Sequence, residues 1–77
     1  MTVLTPRRLD ARGLACPMPI LKTARAIAEM EPGELLEVLA TDPGSIRDFD
    51  AWSRTTGHEL IERTQEAGVY RFLLRRK

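Results

Sequence analysis

The chain has 77 residues and a formal net charge of +1, with 43% hydrophobic and 30% charged residues and a single cysteine. This length predicts one small domain over residues 1–77, and the intermixed charges disfavour a strongly electrostatic nucleic-acid binder. One cysteine excludes an intrachain disulfide and suits a reducing compartment, and no apolar run approaches the roughly 20 residues of a membrane span, so we expect a cytoplasmic protein without direct membrane contact.

The first half of the chain predicts a strand, a helix and a second strand. After a loose leader over residues 1–6, we expect a strand over 7–10 and a glycine-containing loop over 11–15. Apolar residues at helical spacing predict an amphipathic helix over 17–30, with an inward face formed by Ile20, Leu21, Ala24, Ile27 and Ala28. The apolar run 35–40 then suits a central strand that places Leu36, Val38 and Ala40 on one face.

The second half predicts another helix and a hairpin. Asp42 is expected as the helix N-cap, with Pro43 as the first helical residue and Gly57 as the left-handed residue that closes the helix. Its inward residues should be Ile46, Phe49 and Trp52 or Ser53. Extended runs over 59–66 and 69–76 flank Ala67-Gly68, which predicts a hairpin turn. The order βαβαββ predicts an α+β two-layer sandwich, with both helices on one face of a mixed four-stranded sheet whose first two strands are parallel.

Cys16 is the leading candidate for a functional residue. Because proline is tolerated in the first turn of a helix, Pro17 is predicted as the first helical residue and Cys16 as the cap. A thiolate there would face unpaired amides and the positive end of the helix dipole, which predicts a moderately lowered pKa. Arg12 and Lys22 would add to this effect if either pointed at the sulfur. The alternative is a small buried hydrophobe, but the loop position favours a functional thiol.

Other chemistry-bearing residues give weaker signals. His58 would have to lie beside Cys16 to act as its base, and its place at a strand start favours a structural role. No metal-ligand spacing or glycine-rich phosphate loop is present, so no metal or bound cofactor is expected. Basic residues near the two ends are either solvated or form a docking surface for acidic partners or RNA phosphates: Arg7, Arg8, Arg12, Arg71, Arg75, Arg76 and Lys77.

The segment from Leu9 to Pro19, which contains Cys16-Pro17-Met18-Pro19, resembles the Cys-Pro-x-Pro signature of the TusA-like (SirA-like) sulfur-carrier family. The similarity continues through residues 32–34, 42–43 and 57–58, and covers about 8–76. It implies that Cys16 carries sulfane sulfur covalently as a persulfide, with Gly13, Pro17 and Pro19 supporting the motif. Met18 fills the variable position, where it either contacts partners or packs on the loop; Arg12 and Lys22 are further candidate contacts.

The resemblance also implies partners. A cysteine desulfurase or rhodanese-type donor would load the sulfur, and a downstream acceptor protein would receive it for tRNA 2-thiouridine formation, molybdenum-cofactor synthesis or sulfur oxidation. Such a sulfurtransferase-type carrier depends on partner enzymes, so the sequence leaves open whether it is itself an enzyme. Two other functions remain open: a regulatory or RNA-binding module that uses the basic ends, and a redox sensor whose thiol forms mixed disulfides.

Overall fold

The computed structural model describes residues 5–77, so the first four residues of the predicted leader lie outside it. Its elements are β1 (Arg7–Ala11), α1 (Met18–Ala28), β2 (Leu35–Ala40), α2 (Ser45–Thr56), β3 (Glu59–Glu66) and β4 (Val69–Arg75). The four strands form one mixed sheet in the order β1-β2-β4-β3, with β1 parallel to β2 and the other pairs antiparallel. The predicted sandwich is confirmed. Across residues 5–77, no helix is long and apolar enough to cross a membrane.

The core lies between the helices and the inner face of the two central strands. Leu36 and Val38 of β2 are in register with Leu74 and Phe72 of β4, and all four side chains are buried. Phe49 of α2 stacks on Phe72, with ring centroids 4.3 Å apart. The alternation predicted for β2 is therefore confirmed, and α2 is packed against the sheet by its one fully buried aromatic ring.

The inward face of α1 differs from the prediction. Its buried residues are Pro19, Thr23 and Ile27, spaced four apart, whereas Leu21 is 49% exposed and Ala24 and Ala28 also face solvent. The prediction placed the buried face wrongly because it assigned only apolar residues to that face and treated Thr23 as a surface residue. The Thr23 hydroxyl donates a 2.8 Å hydrogen bond to the Pro19 carbonyl, so it is satisfied within the helix and can be buried at little cost.

The start of α2 is also corrected. Asp42 is not its N-cap: Gly44 precedes the first helical residue, Ser45. The Asp42 carboxylate instead accepts the Gly44 N–H at 3.0 Å, and the Asp42 carbonyl accepts the Ser45 N–H at 3.0 Å. Asp42 therefore shapes the turn that leads into the helix, two residues earlier than a cap would lie.

Left-handed backbone occurs at the predicted end of α2 and at the predicted hairpin turn. Gly57 ends α2 with φ at 83°, and its N–H donates to the Ser53 carbonyl at 2.9 Å. Ala67 and Gly68 both have positive φ, 52° and 80°, as a two-residue turn between twisted antiparallel strands requires.

The open face of the sheet carries a buried acid. Glu37 of β2 lies between two arginines: Arg8 of β1 donates to it at 2.6 Å, and Arg71 of β4 donates to its other oxygen. Arg71 also pairs with Glu62 of β3 at 2.9 Å. The hydrogen bond from Arg71, and to a smaller extent the one from Arg8, lowers the pKa of Glu37. These ion pairs connect β1, β2 and β4 through the Glu37 carboxylate.

Glu37→Gln is expected to lower the free energy of unfolding by about 1–2 kcal/mol at neutral pH, because an amide keeps the shape but loses the charge-assisted bonds. The folded pKa of Glu37 lies below the unfolded value of about 4.3. The contribution of Glu37 to the free energy of unfolding is therefore complete above its pKa in the unfolded chain. It is lost as the pH falls through its pKa in the folded protein. Urea unfolding from pH 7 to 3 should show a shallower acid loss in the variant. Glu59→Gln, at an exposed site paired with Arg75 outside this network, is the control and should keep the acid profile of wild type. Identical acid profiles for wild type and Glu37→Gln would contradict the assignment.

Candidate functional site

Cys16 lies on the exposed loop that joins β1 to α1. The loop is attached to the neighbouring loop after β2, because the Gly13 N–H donates to Thr41 Oγ1 at 2.9 Å. Gly13 has φ at 80°, a conformation in which other residues are strained. At the other end, the buried Pro19 fixes the first turn of α1 against the core. The motif residues thus hold the cysteine at the surface between two anchored points.

The predicted capping position of Cys16 is wrong. Pro17, not Cys16, directly precedes the first residue of α1, and no side chain caps this helix. Pro17 and Pro19 have no amide hydrogen, and the Met18 N–H already donates to the Ala15 carbonyl at 2.9 Å. Since the helix start offers the sulfur so few amides, the thiol finds its partner elsewhere.

That partner is Asp48, in the first turn of α2. The Cys16 thiol donates to Asp48 Oδ2 with a sulfur–oxygen distance of 2.6 Å. The hydrogen bond to Asp48 raises the pKa of the Cys16 thiol, burial raises it further, and the negative charges of Asp48 and Asp42 act in the same direction. The predicted lowering of this pKa is therefore wrong: a carboxylate, rather than a helix dipole, sets the state of the sulfur.

Sequence reasoning missed Asp48, although it had a usable signal. Because β1 and β2 are parallel neighbours, the loops that follow them meet at the same edge of the sheet. Cys16 follows β1 and Asp48 follows β2, so the topology brings them together across 32 residues of sequence. Gly44 leaves space for the Asp42 carboxylate in the turn before α2, because a Cβ at this position would lie 3.0 Å from Asp42 Oδ2.

A shallow groove of about 330 Å³ opens beside the sulfur, between the two helices. Its walls are mainly apolar, and Asp48 is the one acidic residue among them. The residues that line it are Cys16, Pro17, Ile20, Asp48, Ala51, Trp52 and Thr55. The Trp52 ring packs edge to face on the ring of Phe49, with 6.4 Å between the ring centroids. The reactive atom therefore lies at a surface that can receive part of another molecule.

Arg12 and Lys22, the two cations that would stabilise a thiolate if they pointed at the sulfur, make no hydrogen bond or ion pair with Cys16 among the described residues. The Arg12 guanidinium is paired with Asp10 through two hydrogen bonds of 2.9 Å, which hold the pKa of Asp10 at about 2. Lys22 is exposed on α1, and no hydrogen bond or ion pair between described residues joins it to Cys16. Neither residue offsets the negative charge of Asp48 in the protein alone, and both stay candidate partner contacts.

His58 and Met18 take different positions. His58 Nδ1 accepts the Lys77 backbone N–H at 3.0 Å, and its ring lies 5.3 Å from that of Trp52. Burial and the nearby Arg76 and Lys77 lower the pKa of His58, and its Nδ1 is engaged with Lys77 rather than with Cys16. Met18, the first residue of α1, is 42% exposed, so its side chain is not packed away on the loop and stays a candidate partner contact.

Carboxylates engage most of the basic residues near the chain ends. Salt bridges join Arg7 to Glu34 at 3.6 Å and Arg75 to Glu59 at 3.0 Å, in addition to the pairs of Arg8, Arg12 and Arg71. This pairing reduces the positive potential available to RNA phosphates. Within residues 5–77, no group of histidine, cysteine, aspartate or glutamate side chains is arranged to hold a metal ion.

The fold and the site together define a class: a small α+β sandwich that displays one thiol beside a carboxylate at the edge of an apolar groove. Comparison with known proteins gives the family. The family model for sulfurtransferase TusA matches residues 7–76. The chain is 47% identical over 70 residues to the sulfur carrier protein TusA of Allochromatium vinosum, covering 91% of this chain and 92% of that protein. The chain belongs to the TusA family of sulfur carriers.

Two further comparisons agree. Identity to the sulfur carrier protein TusA of Pseudomonas aeruginosa is 44% over 69 residues, covering 90% of this chain and 87% of that protein. Among solved structures, the crystal structure of a SirA-like protein from Desulfitobacterium hafniense superposes with a TM-score of 0.78 at 26% identity, covering 88% of this chain and 93% of that one. The similarity to this family therefore extends over residues 7–76.

Proposed function

We propose that this protein carries sulfane sulfur as a persulfide on Cys16 and relays it to an acceptor protein. The observation that carries the proposal is the position of the one cysteine: exposed, on the loop held by the family motif, at the edge of a groove open to a partner. A buried cysteine could not exchange sulfur with another protein. An exposed thiol between two anchored points can.

The loading step balances without an external oxidant. The Cys16 sulfur attacks the outer sulfur of a donor persulfide, R–S–SH, so that a new S–S bond forms and the donor S–S bond breaks. The donor sulfur leaves as a thiolate and takes up the proton that the Cys16 thiol gives up. The products are Cys16–S–SH and R–SH. Discharge to an acceptor thiol is the same reaction in reverse, with the acceptor in the place of R–SH.

The raised pKa of Cys16 assigns a task to the donor enzyme. At neutral pH the free protein holds the thiol protonated against Asp48, and the thiolate is the nucleophile. His58 Nδ1 is engaged with the Lys77 N–H, and the charge of Asp48 disfavours the thiolate, so we expect the donor to supply a base or a positive charge that favours ionisation of Cys16. A cysteine desulfurase or a rhodanese-type protein fits this role in the cytoplasm. Acceptors in tRNA thiolation, molybdenum-cofactor synthesis or sulfur oxidation are each compatible with the site.

Incubation with a purified cysteine desulfurase and L-cysteine is expected to raise the intact mass of the protein by one sulfur atom. The gain should disappear on treatment with dithiothreitol, because a thiol reductant releases sulfane sulfur. The matched control is Cys16→Ala, which keeps the fold and lacks the acceptor sulfur. A wild-type protein that gains no mass, or a Cys16→Ala protein that does, would contradict the proposal.

A further inference from the structure

We propose that Asp48 is a positioning residue that lets the carrier distinguish its empty state from its loaded state, by holding back the empty thiol and leaving the persulfide reactive. This inference rests on the proposed function. It follows from three features of the site: the hydrogen bond of 2.6 Å from the thiol to Asp48, the half-buried position of Asp48 in the groove, and the acidic surroundings of the sulfur.

In the empty protein, the carboxylate stabilises the thiol and destabilises the thiolate. The thiol has a proton to donate to Asp48 Oδ2, whereas a thiolate at the same place would meet a like charge. Asp42, in the turn before α2, adds to the negative field. The charged groups facing the sulfur from the packed elements are thus both acidic, since the Arg12 guanidinium is turned to Asp10. Few empty thiols are ionised at neutral pH, and nonspecific alkylation or oxidation is slowed.

In the loaded protein, that restraint no longer applies. The inner sulfur of Cys16–S–SH has no proton, so it cannot donate the bond that Asp48 accepts from the thiol. The outer sulfur of a persulfide is more acidic than a thiol, is mostly anionic at neutral pH, and lies one bond farther from the carboxylate. Repulsion from Asp48 therefore favours its extension toward solvent or a partner. The same carboxylate suppresses one state and directs the other outward.

The chain provides a matched control two residues away. Asp50 lies on the same helix and carries the same charge, but it pairs with Arg63 at 2.6 Å on another side of α2. Asp48→Asn and Asp50→Asn remove one charge each while keeping size and shape. Asparagine at position 48 can still contact the sulfur, so the variant tests charge rather than packing.

The experiment measures iodoacetamide alkylation rates of empty and desulfurase-loaded protein for wild type, Asp48→Asn and Asp50→Asn, from pH 6 to above the thiol pKa. We expect empty Asp48→Asn to react roughly two- to fivefold faster than wild type at pH 7, the range of a partly exposed charge interaction. The two rates should converge at high pH, where both thiols are ionised. The loaded forms should differ by less than about twofold, and Asp50→Asn should match wild type throughout.

The outcomes separate the two proposals. Equal rates for empty wild type and Asp48→Asn at pH 7 would overturn the role of Asp48. So would a rate difference that persists unchanged at high pH, or one of equal size in the loaded forms, since either would mean that Asp48 only covers the sulfur sterically. If the wild-type protein takes up no sulfur, the carrier function fails instead, while the comparison of the empty thiols still reports the effect of Asp48 on ionisation.

Discussion

A Cys16→Ser protein is expected to fold normally and carry no sulfur. The serine hydroxyl is nearly the size of the thiol and can still donate to Asp48, so the loop and α2 keep their contact. Oxygen, however, forms no persulfide. After desulfurase treatment and gel filtration, cyanide should release about one thiocyanate per wild-type molecule, because the chain has one cysteine to load, and none from the variant.

The thermal midpoint and circular dichroism of Cys16→Ser serve as its control. Both should match wild type, because Cys16 is exposed and takes no part in the core. Thiocyanate released in equal amount from the variant would mean that the sulfur is held elsewhere. An unfolded variant would contradict the placement of the thiol on the surface.

Phe49→Ala should cause the largest loss of stability among single substitutions in α2. The ring is fully buried, stacks on Phe72 and supports Trp52 from behind. Removing a buried phenylalanine side chain typically costs about 3–5 kcal/mol, which in a domain of this size approaches the whole free energy of unfolding. Urea unfolding followed by circular dichroism measures the loss.

Phe49→Leu and Arg54→Ala are the comparison variants for this unfolding experiment. Leucine fills part of the space, so Phe49→Leu should remain folded and lose clearly less than Phe49→Ala. Arg54 is exposed on the same helix, and its replacement by alanine should change stability by less than about 0.5 kcal/mol. A loss below about 1 kcal/mol for Phe49→Ala would contradict the packing of α2 on the sheet.

Local patterns predicted those parts of the fold that depend on neighbours in sequence. The alternation over 35–40 identified the buried face of β2, and Ala67-Gly68 identified the hairpin, because period and turn chemistry act over a few residues. The prediction of the inward face of α1 was wrong because burial there depends on more than hydrophobicity. Whether Thr23 can be buried depends on a hydrogen bond within the helix that a hydrophobicity pattern does not count.

The site was predicted in part. The motif placed Cys16 on an exposed loop, but the direction of its thiol depends on α2, which contributes Asp48 from 32 residues away. Pro17 and Pro19 indicate the start of a helix, which predicts free backbone amides around the sulfur. Proline has no amide hydrogen, however, so these two residues cannot donate to the sulfur. The surroundings of Cys16 are determined by the contact between the segments that follow β1 and β2. That contact depends on the parallel pairing of the two strands.

The most direct test follows the transferred atom itself. Desulfurase loading with cysteine labelled with heavy sulfur, followed by alkylation and peptide mass analysis, locates the label on the chain. We expect it on the peptide that contains Cys16, at up to one heavy sulfur per molecule, and expect it to pass to an acceptor thiol on mixing. Label on any other residue, or label that stays on Cys16 when an acceptor thiol is present in excess, would contradict a relay through this sulfur.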